Sequence, residues 1–287
     1  MSIEITTAFV EQYSANVQML SQQKGSRFSS AVRNESVTGK NAFFEQIGSV
    51  SARKRPSRHA DTPRMDTPHA RRRVSLVDYD WADLIDDEDK VRMLIDPTSS
   101  YAMAAAWAMG RAKDDAILEA AIGTAYTGEE GTTAVTLPAA QKVAAGAAGL
   151  TVAKLLEAKE IIDSSDVDPD IPRHIALSAK QVTNLLNTTE VKSSDYNTVK
   201  ALAQGQINSF MGFEFTRTER LGTDSNGDRQ VTVWCEDGIL LATGKDMSVK
   251  ITERADKNYA TQVFNSMTIG ATRMEEVKVV EIACVEA

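Results

Sequence analysis

The stretch Asp96–Gly123, DPTSSYAMAAAWAMGRAKDDAILEAAIG, reads as one long helix around which the rest of the chain is arranged. Asp96 or Thr98 is placed to cap its start. Pro97 fits the first turn, where a missing N–H leaves no bond unmade. Nine alanines, with Met103, Trp107, Met109, Ile117 and Leu118, supply strong helix formers and no β-branched run. Gly123 is a natural stop. At a 3.6-residue period Met103, Trp107, Gly110, Asp114, Ile117 and Ala121 share one stripe. Tyr101, Ala105, Ala108, Ala112 and Leu118 or Glu119 share another. The small residues let neighbouring backbone approach closely. Arg111 stands at helical spacing from Asp114 and Asp115, which predicts ion pairs of about 0.3 kcal/mol each. Alone, such a helix is a core helix. Its setting says more: a basic, proline-interrupted arm precedes it and a mixed α/β body follows.

The 287 residues are enough for one large or two modest cores, and 42% hydrophobic with 25% charged residues is an ordinary globular balance. No apolar run approaches the ~18 residues of a membrane-spanning helix. The opening MSIEITTAFVEQ lacks the basic and apolar regions of a signal peptide, so no membrane partner is expected. Cys235 and Cys284 lie in apolar alternating runs and read as buried thiols rather than a disulfide or a metal site. The net charge of −8 conceals an asymmetry. Residues 1–75 hold 12 Lys/Arg against 6 Asp/Glu, and residues 76–287 hold 20 against 34. A basic arm on an acidic body fits nucleic-acid binding, or an arm of one copy lying on the body of another. The acidic body argues against a DNA-coating surface.

Residues 1–38 read as a detached arm. Phe9, Tyr13, Val17 and Leu20 recur at helical spacing and form a stripe that needs a partner outside the arm. The polar face of that helix is Gln, Glu, Asn and Ser, which does not suit a membrane surface. AFFEQIGSVSA and VSLVDYDWADL are strand-like, with Val77, Tyr79 and Trp81 facing opposite to Asp78 and Asp80. Between these strands, residues 53–73 carry eight basic residues, seven of them arginine, and no core-forming run. They are expected to form an extended loop tip. Asp83, Asp86, Asp87, Glu88 and Asp89 then make an acidic cluster at the foot of the long helix. Beyond it come a Gly/Ala/Thr-rich connection, a helix VAKLLEAKEIID capped by Thr151, a strand RHIALSA, a helix AKQVTNLLNT, a helix-then-loop DYNTVKALAQGQINSFMG, and closing strands. Helices mixed with antiparallel hairpins give an α+β body.

Catalytic and metal signatures are missing from the sequence. His59, His69 and His174 have no His or Cys neighbour at ligand spacing, and there is no G-x-S-x-G, Walker A or dinucleotide fingerprint. Asp224, Asn226 and Asp228 begin like a calcium loop. Arg229 then stands where glycine is needed and Cys235 where the bidentate glutamate belongs, so a polar hairpin turn is expected. No cofactor is implied. Arg71, Arg72 and Arg73, with Arg53, Arg55 and Arg58, form the sharpest electrostatic feature. No aromatic residue interleaves them in sequence for base stacking, and arginine in preference to lysine suits bidentate carboxylate contacts at an interface.

The order of parts resembles the major capsid proteins of tailed bacteriophages. The resemblance is carried by VDYDWADLIDDEDKVRMLIDPTSSYAMAAAWAMGRAKDDAILEAAIG and by the ending ADKNYATQVFNSMTIGATRMEEVKVVEIACVEA, and it extends over nearly the whole chain. It implies an N-terminal arm at 1–38 and an extended loop, the E-loop, at 39–85. It implies a P domain at 86–135 and 245–287 with a spine helix at 97–122, and an A domain at 136–244. It further implies a structural, non-enzymatic role. Copies would assemble as pentamers and hexamers into an icosahedral shell around double-stranded DNA, built in the bacterial cytoplasm and ending in the virion. A scaffolding protein, expected as a separate chain, a portal and a decoration protein are the implied partners, with DNA packaged without sequence-specific contact. The expected interface residues are Arg53, Arg55, Arg58, Arg71, Arg72, Arg73, Asp86, Asp87, Glu88, Asp89, Phe9, Tyr13, Val17 and Leu20. Two rivals remain: an encapsulin-like shell holding protein cargo, and a basic-armed nucleic-acid-binding protein.

Overall fold

The computed structural model describes residues 21–55, 57–59, 61–62, 64–86, 98–187 and 209–286. In chain order its strands are β1 Arg33–Ser36, β2 Asn41–Ile47, β3 His69–Ser75, β4 Val77–Ile85, β5 Ala125–Thr127, β6 Thr133–Val135, β7 Lys142–Val143, β8 Arg173–Leu177, β9 Ser209–Phe210, β10 Phe213–Arg217, β11 Arg229–Cys235, β12 Ile239–Arg254, β13 Ala260–Arg273 and β14 Val279–Cys284. Its helices are α1 Thr98–Ile122, α2 Val152–Ser164 and α3 Ala179–Asn187. Two compact units divide the chain. The smaller includes Asp78–Ala112 and Lys245–Thr268; the larger includes Arg27–Val77, Lys113–Gly244 and Ile269–Ala287.

The larger unit is built on a mixed six-stranded sheet in the order β7-β14-β11-β8-β10-β9. All five residues of β8, RHIAL, are buried, as befits a strand covered on both faces. Helix α2 lies against β14 and β7 and buries Leu155, Ala158 and Ile162. Thr151 caps it as expected, its hydroxyl accepting from the Lys154 N–H at 3.4 Å. Lys154 also buries its ammonium. The three N–H groups donate to the carbonyls of Ala145, Ala148 and Ala283 at 2.7–2.9 Å, so the charge goes inside with no donor wasted. Trp234 of β11 packs edge-on against Phe28 at 5.5 Å and donates its indole N–H to Ala31 at 2.8 Å. A second, four-stranded sheet runs β2-β3-β5-β6, and β1 lies parallel to the first residues of β12. Val74, Leu240, Ala242 and Met274 form a buried cluster, with Val37, Phe44 and Leu76 packed on it.

The second half of α1 belongs to this unit, and there the stripe falls as expected: Asp114, Ile117 and Ala121 are buried. The ion pairs do not. Asp114 accepts from the backbone N–H groups of Arg27 and Phe28 at 3.0–3.2 Å, and Asp115 pairs with Arg220. A buried carboxylate gains more from two or three fixed N–H donors than from one mobile surface arginine. The helix ends where Gly123 was placed, with its N–H on Glu119 at 2.8 Å. The fully buried Arg273 then donates to the carbonyls of Ala121 and Gly123 at 2.9 and 2.8 Å and of Val135 at 3.1 Å. That sets a cation on the negative end of the helix.

In the smaller unit the first half of α1 buries Ala105, Met109 and Gly110. A Cβ at Gly110 would sit 2.6 Å from the Ser26 nitrogen, so the small residue admits crossing backbone. Here the stripe departs from expectation. Met103 is 49% exposed, and Trp107 is half-buried with the Lys24 ammonium 5.4 Å from its ring centre. Arg111 donates to Gln22 and to the Gln23 carbonyl at 3.0 and 3.1 Å. The latter part of β12, then β13 and β4, form the sheet of this unit, with Thr268 donating to Asp78 at 2.6 Å. Asp96, Pro97 and the helix expected within 195–208 lie outside the described residues.

Candidate assembly surfaces

The arginine run lies in a strand rather than wholly in a loop. β3 begins at His69 and pairs antiparallel with β2 from Ile47↔His69 to Asn41↔Ser75. Alternation along a strand sends successive side chains to opposite faces. Arg72 therefore points inward with Val74. It is 4% exposed, donates to the Met274 carbonyl at 2.9 and 3.1 Å, and pairs with Glu276 at 3.0 Å. In sequence this arginine reads as part of the loop because it sits among other arginines at the end of a stretch with no core-forming run. The strand instead uses its alkyl stem as core and finds two acceptors for its head.

Arg71 and Arg73 point outward beside Phe43 and Glu45. Phe43 stands opposite Arg73, and Glu45 opposite Arg71. Arg73 lies over the ring of Tyr126 at 4.7 Å, and Arg71 lies 5.6 Å from the ring of Phe43 while pairing with Glu45 at 2.5 Å. Phe43 and Tyr126 are both exposed. The sequence shows no aromatic residue among the arginines; the sheet brings two of them there from other strands. Arginine, tyrosine and phenylalanine on one open face is the composition enriched at protein–protein interfaces. The signal in the sequence was the alternation in NAFFEQI, whose odd positions match an arginine strand of the same period.

Arg53, Arg55 and Arg58 are exposed in the stretch between β2 and β3, as is Asp86 at the end of β4. Asp87, Glu88, Asp89, Phe9, Tyr13, Val17 and Leu20 lie outside the described residues. Asp224 closes a hairpin turn: it accepts from Asn226 and Asp228 N–H groups at 2.8 and 2.9 Å, with Gly227 at φ 86°. Among the described residues no three His, Cys, Asp or Glu side chains gather as metal ligands, and no helix is long and apolar enough to cross a membrane. Cys235 and Cys284 are free and buried, and burial pushes both thiols up to about 11.

This arrangement of sheets and long helix is the fold of tailed-phage major capsid proteins. The capsid protein of the cyanophage P-SCSP1u superposes with a TM-score of 0.76 at 17% identity, covering 99% of this chain and 95% of that one. The head structure of the Helicobacter pylori bacteriophage KHP40 gives 0.75 at 11%, covering 99% and 98%. The capsid of Ralstonia phage GP4 gives 0.74 at 12%, covering 96% and 95%. No curated protein matches the chain. Residues 5–286 match the phage capsid protein family, and the chain belongs to it. It is therefore a structural, self-assembling protein of a phage capsid and not an enzyme.

Proposed function

We propose that many copies of this chain close, as pentamers and hexamers, into an icosahedral shell around double-stranded DNA. The observation that carries this reading is the family match over residues 5–286. In this reading 1–38 is the N-terminal arm and 39–85 the E-loop. Residues 86–135 and 245–287 are the P domain, with α1 as its spine helix, and 136–244 is the A domain. The shell is assembled in the bacterial cytoplasm with a separate scaffolding protein and a portal, takes a decoration protein on its surface, and ends in the virion. Each contact between copies is small, and closure multiplies them.

The outward Arg71 and Arg73, with Arg53, Arg55 and Arg58, dock on acidic groups of an adjacent copy, foremost Asp86, Asp87, Glu88 and Asp89. The stripe of Phe9, Tyr13, Val17 and Leu20 covers a neighbour. Arg72 contributes by holding β3 in place. The acidic balance of residues 76–287, 34 acidic against 20 basic, keeps packaged DNA from adhering to the wall. Particles purified from cells making the complete phage head are expected to hold double-stranded DNA protected from nuclease. Particles filled with protein and free of DNA would instead establish the encapsulin-like shell.

A further inference from the structure

β12 is sixteen residues long, and β1 accompanies it only briefly. Their register runs from Arg33↔Leu240 to Ser36↔Thr243, and one more bond joins the Val37 N–H to the Thr243 carbonyl at 3.0 Å. From Lys245 to Arg254, β13 lies on one side of β12. On the other side, among the described residues, there is no strand. The sequence of this free edge is KDMSVKITER. Lys245, Met247, Val249, Ile251 and Glu253 share one face. Met247, Val249 and Ile251 are 38%, 44% and 51% exposed, a continuous apolar stripe along an edge that no described strand covers; the Met247 N–H donates to the Asp246 carboxylate at 2.8 Å, a local bond that a pairing strand would replace. Free edges of this kind recruit a further strand.

We propose that this edge pairs antiparallel with the same edge of a second copy, about a two-fold axis centred on Val249. The occupant follows from the sequence. In this register Val249 faces Val249, Met247 faces Ile251 twice, and Lys245 faces Glu253 twice. Three layers of apolar contact are closed at each end by an ion pair. On the opposite face Asp246 meets Thr252 and Ser248 meets Lys250, so no like charges are opposed. A slip of one residue places the apolar stripe against polar residues, and in one direction also sets Asp246 against Glu253. A slip to a centre at Lys250 puts that lysine against itself. An edge lysine ordinarily guards a strand against pairing; here it excludes one wrong register and tolerates the self-complementary one. Lys245 spends one donor on the Ser266 hydroxyl at 2.8 Å, and the other two are available to Glu253. The inference rests on the proposed self-assembly only in taking a second copy as the occupant. It adds an isologous strand contact distinct from the arginine face.

The test is disulfide formation by Val249→Cys. Opposed residues of an antiparallel pair have Cα atoms about 4.5–5.5 Å apart, within the span of a disulfide. The native Cys235 and Cys284 are buried and do not compete. Oxidised, both as soluble protein and as assembled particles, V249C is expected to run at twice the chain's mass on a non-reducing gel. Lys250→Cys should stay monomeric, because its opposite residue is Ser248. Adding Lys245→Glu should reduce the V249C dimer about tenfold, and Glu253→Lys in the same chain should restore it. The double variant Met247→Cys/Ile251→Cys should crosslink as well, which guards against a local defect at Val249. The proposal is overturned if V249C remains monomeric in both forms, if K250C crosslinks equally well, or if V249C links to a different protein. Shell formation is read by microscopy and strand pairing by the gel, so the two ideas fail separately.

Discussion

His174 shows how one side chain registers its surroundings. Its Nδ1 lies 3.4 Å from a Glu214 carboxylate oxygen, its ring sits by Trp234, and its buried Nε2 has no hydrogen-bond partner among the described residues. Burial pulls its pKa below the ordinary histidine value, with Glu214 and then Glu236 opposing. A depressed folded-state pKa means that the unfolded chain takes the proton first. Its contribution is therefore complete above the unfolded pKa of about 6.5 and is lost as the pH falls from there through the folded value. We predict that the urea midpoint of the wild type, less that of His174→Gln, declines as pH is lowered below about 6.5. A difference independent of pH would show that the imidazole is not held neutral. In sequence this histidine is legible only as the opening of a strand. Asp114 and Arg273 were equally opaque, since their nearest backbone partners are 86 and 138 residues away, and no local spacing encodes those.

Among the elements, helix α1 and the hairpin β2–β3 carry opposite lessons. Helix α1 was legible because alanine content and the stop at Gly123 are local. Its exposure in the first half was not, because crossing backbone at Gly110, and not periodicity, decides which side is covered. In β3 three identical arginines take two fates, set by the period of two. Arg72→Ala removes a buried guanidinium and leaves the Met274 carbonyl with Gln46 at 2.7 Å and Glu276 with Arg273 at 3.6 Å, and is expected to lower stability by about 2 kcal/mol. Arg71→Ala and Arg73→Ala, whose partners are a surface glutamate and exposed rings, should each cost about 1 kcal/mol or less. Urea denaturation of the three variants checks this. Equal losses would mean that the strand does not alternate as described. Arginines in succession signal a solvated loop in sequence, and only pairing with NAFFEQI reveals one of them as core.

For the whole molecule, order of parts was the legible quantity. An arm, a basic hairpin, a long alanine-rich helix, a mixed body and closing strands are visible as composition and period, and their sequence along the chain carries the fold. The units could not be read the same way, since α1 and β12 each run from one unit into the other and no linker marks the passage. A capsid protein acts by assembling. The measurement that tests it most directly is electron microscopy of the chain expressed with its head-assembly partners. Closed shells of uniform diameter with icosahedral symmetry are the predicted result, and a field holding no closed particles at any protein concentration, with sedimentation at the mass of one chain, would contradict it.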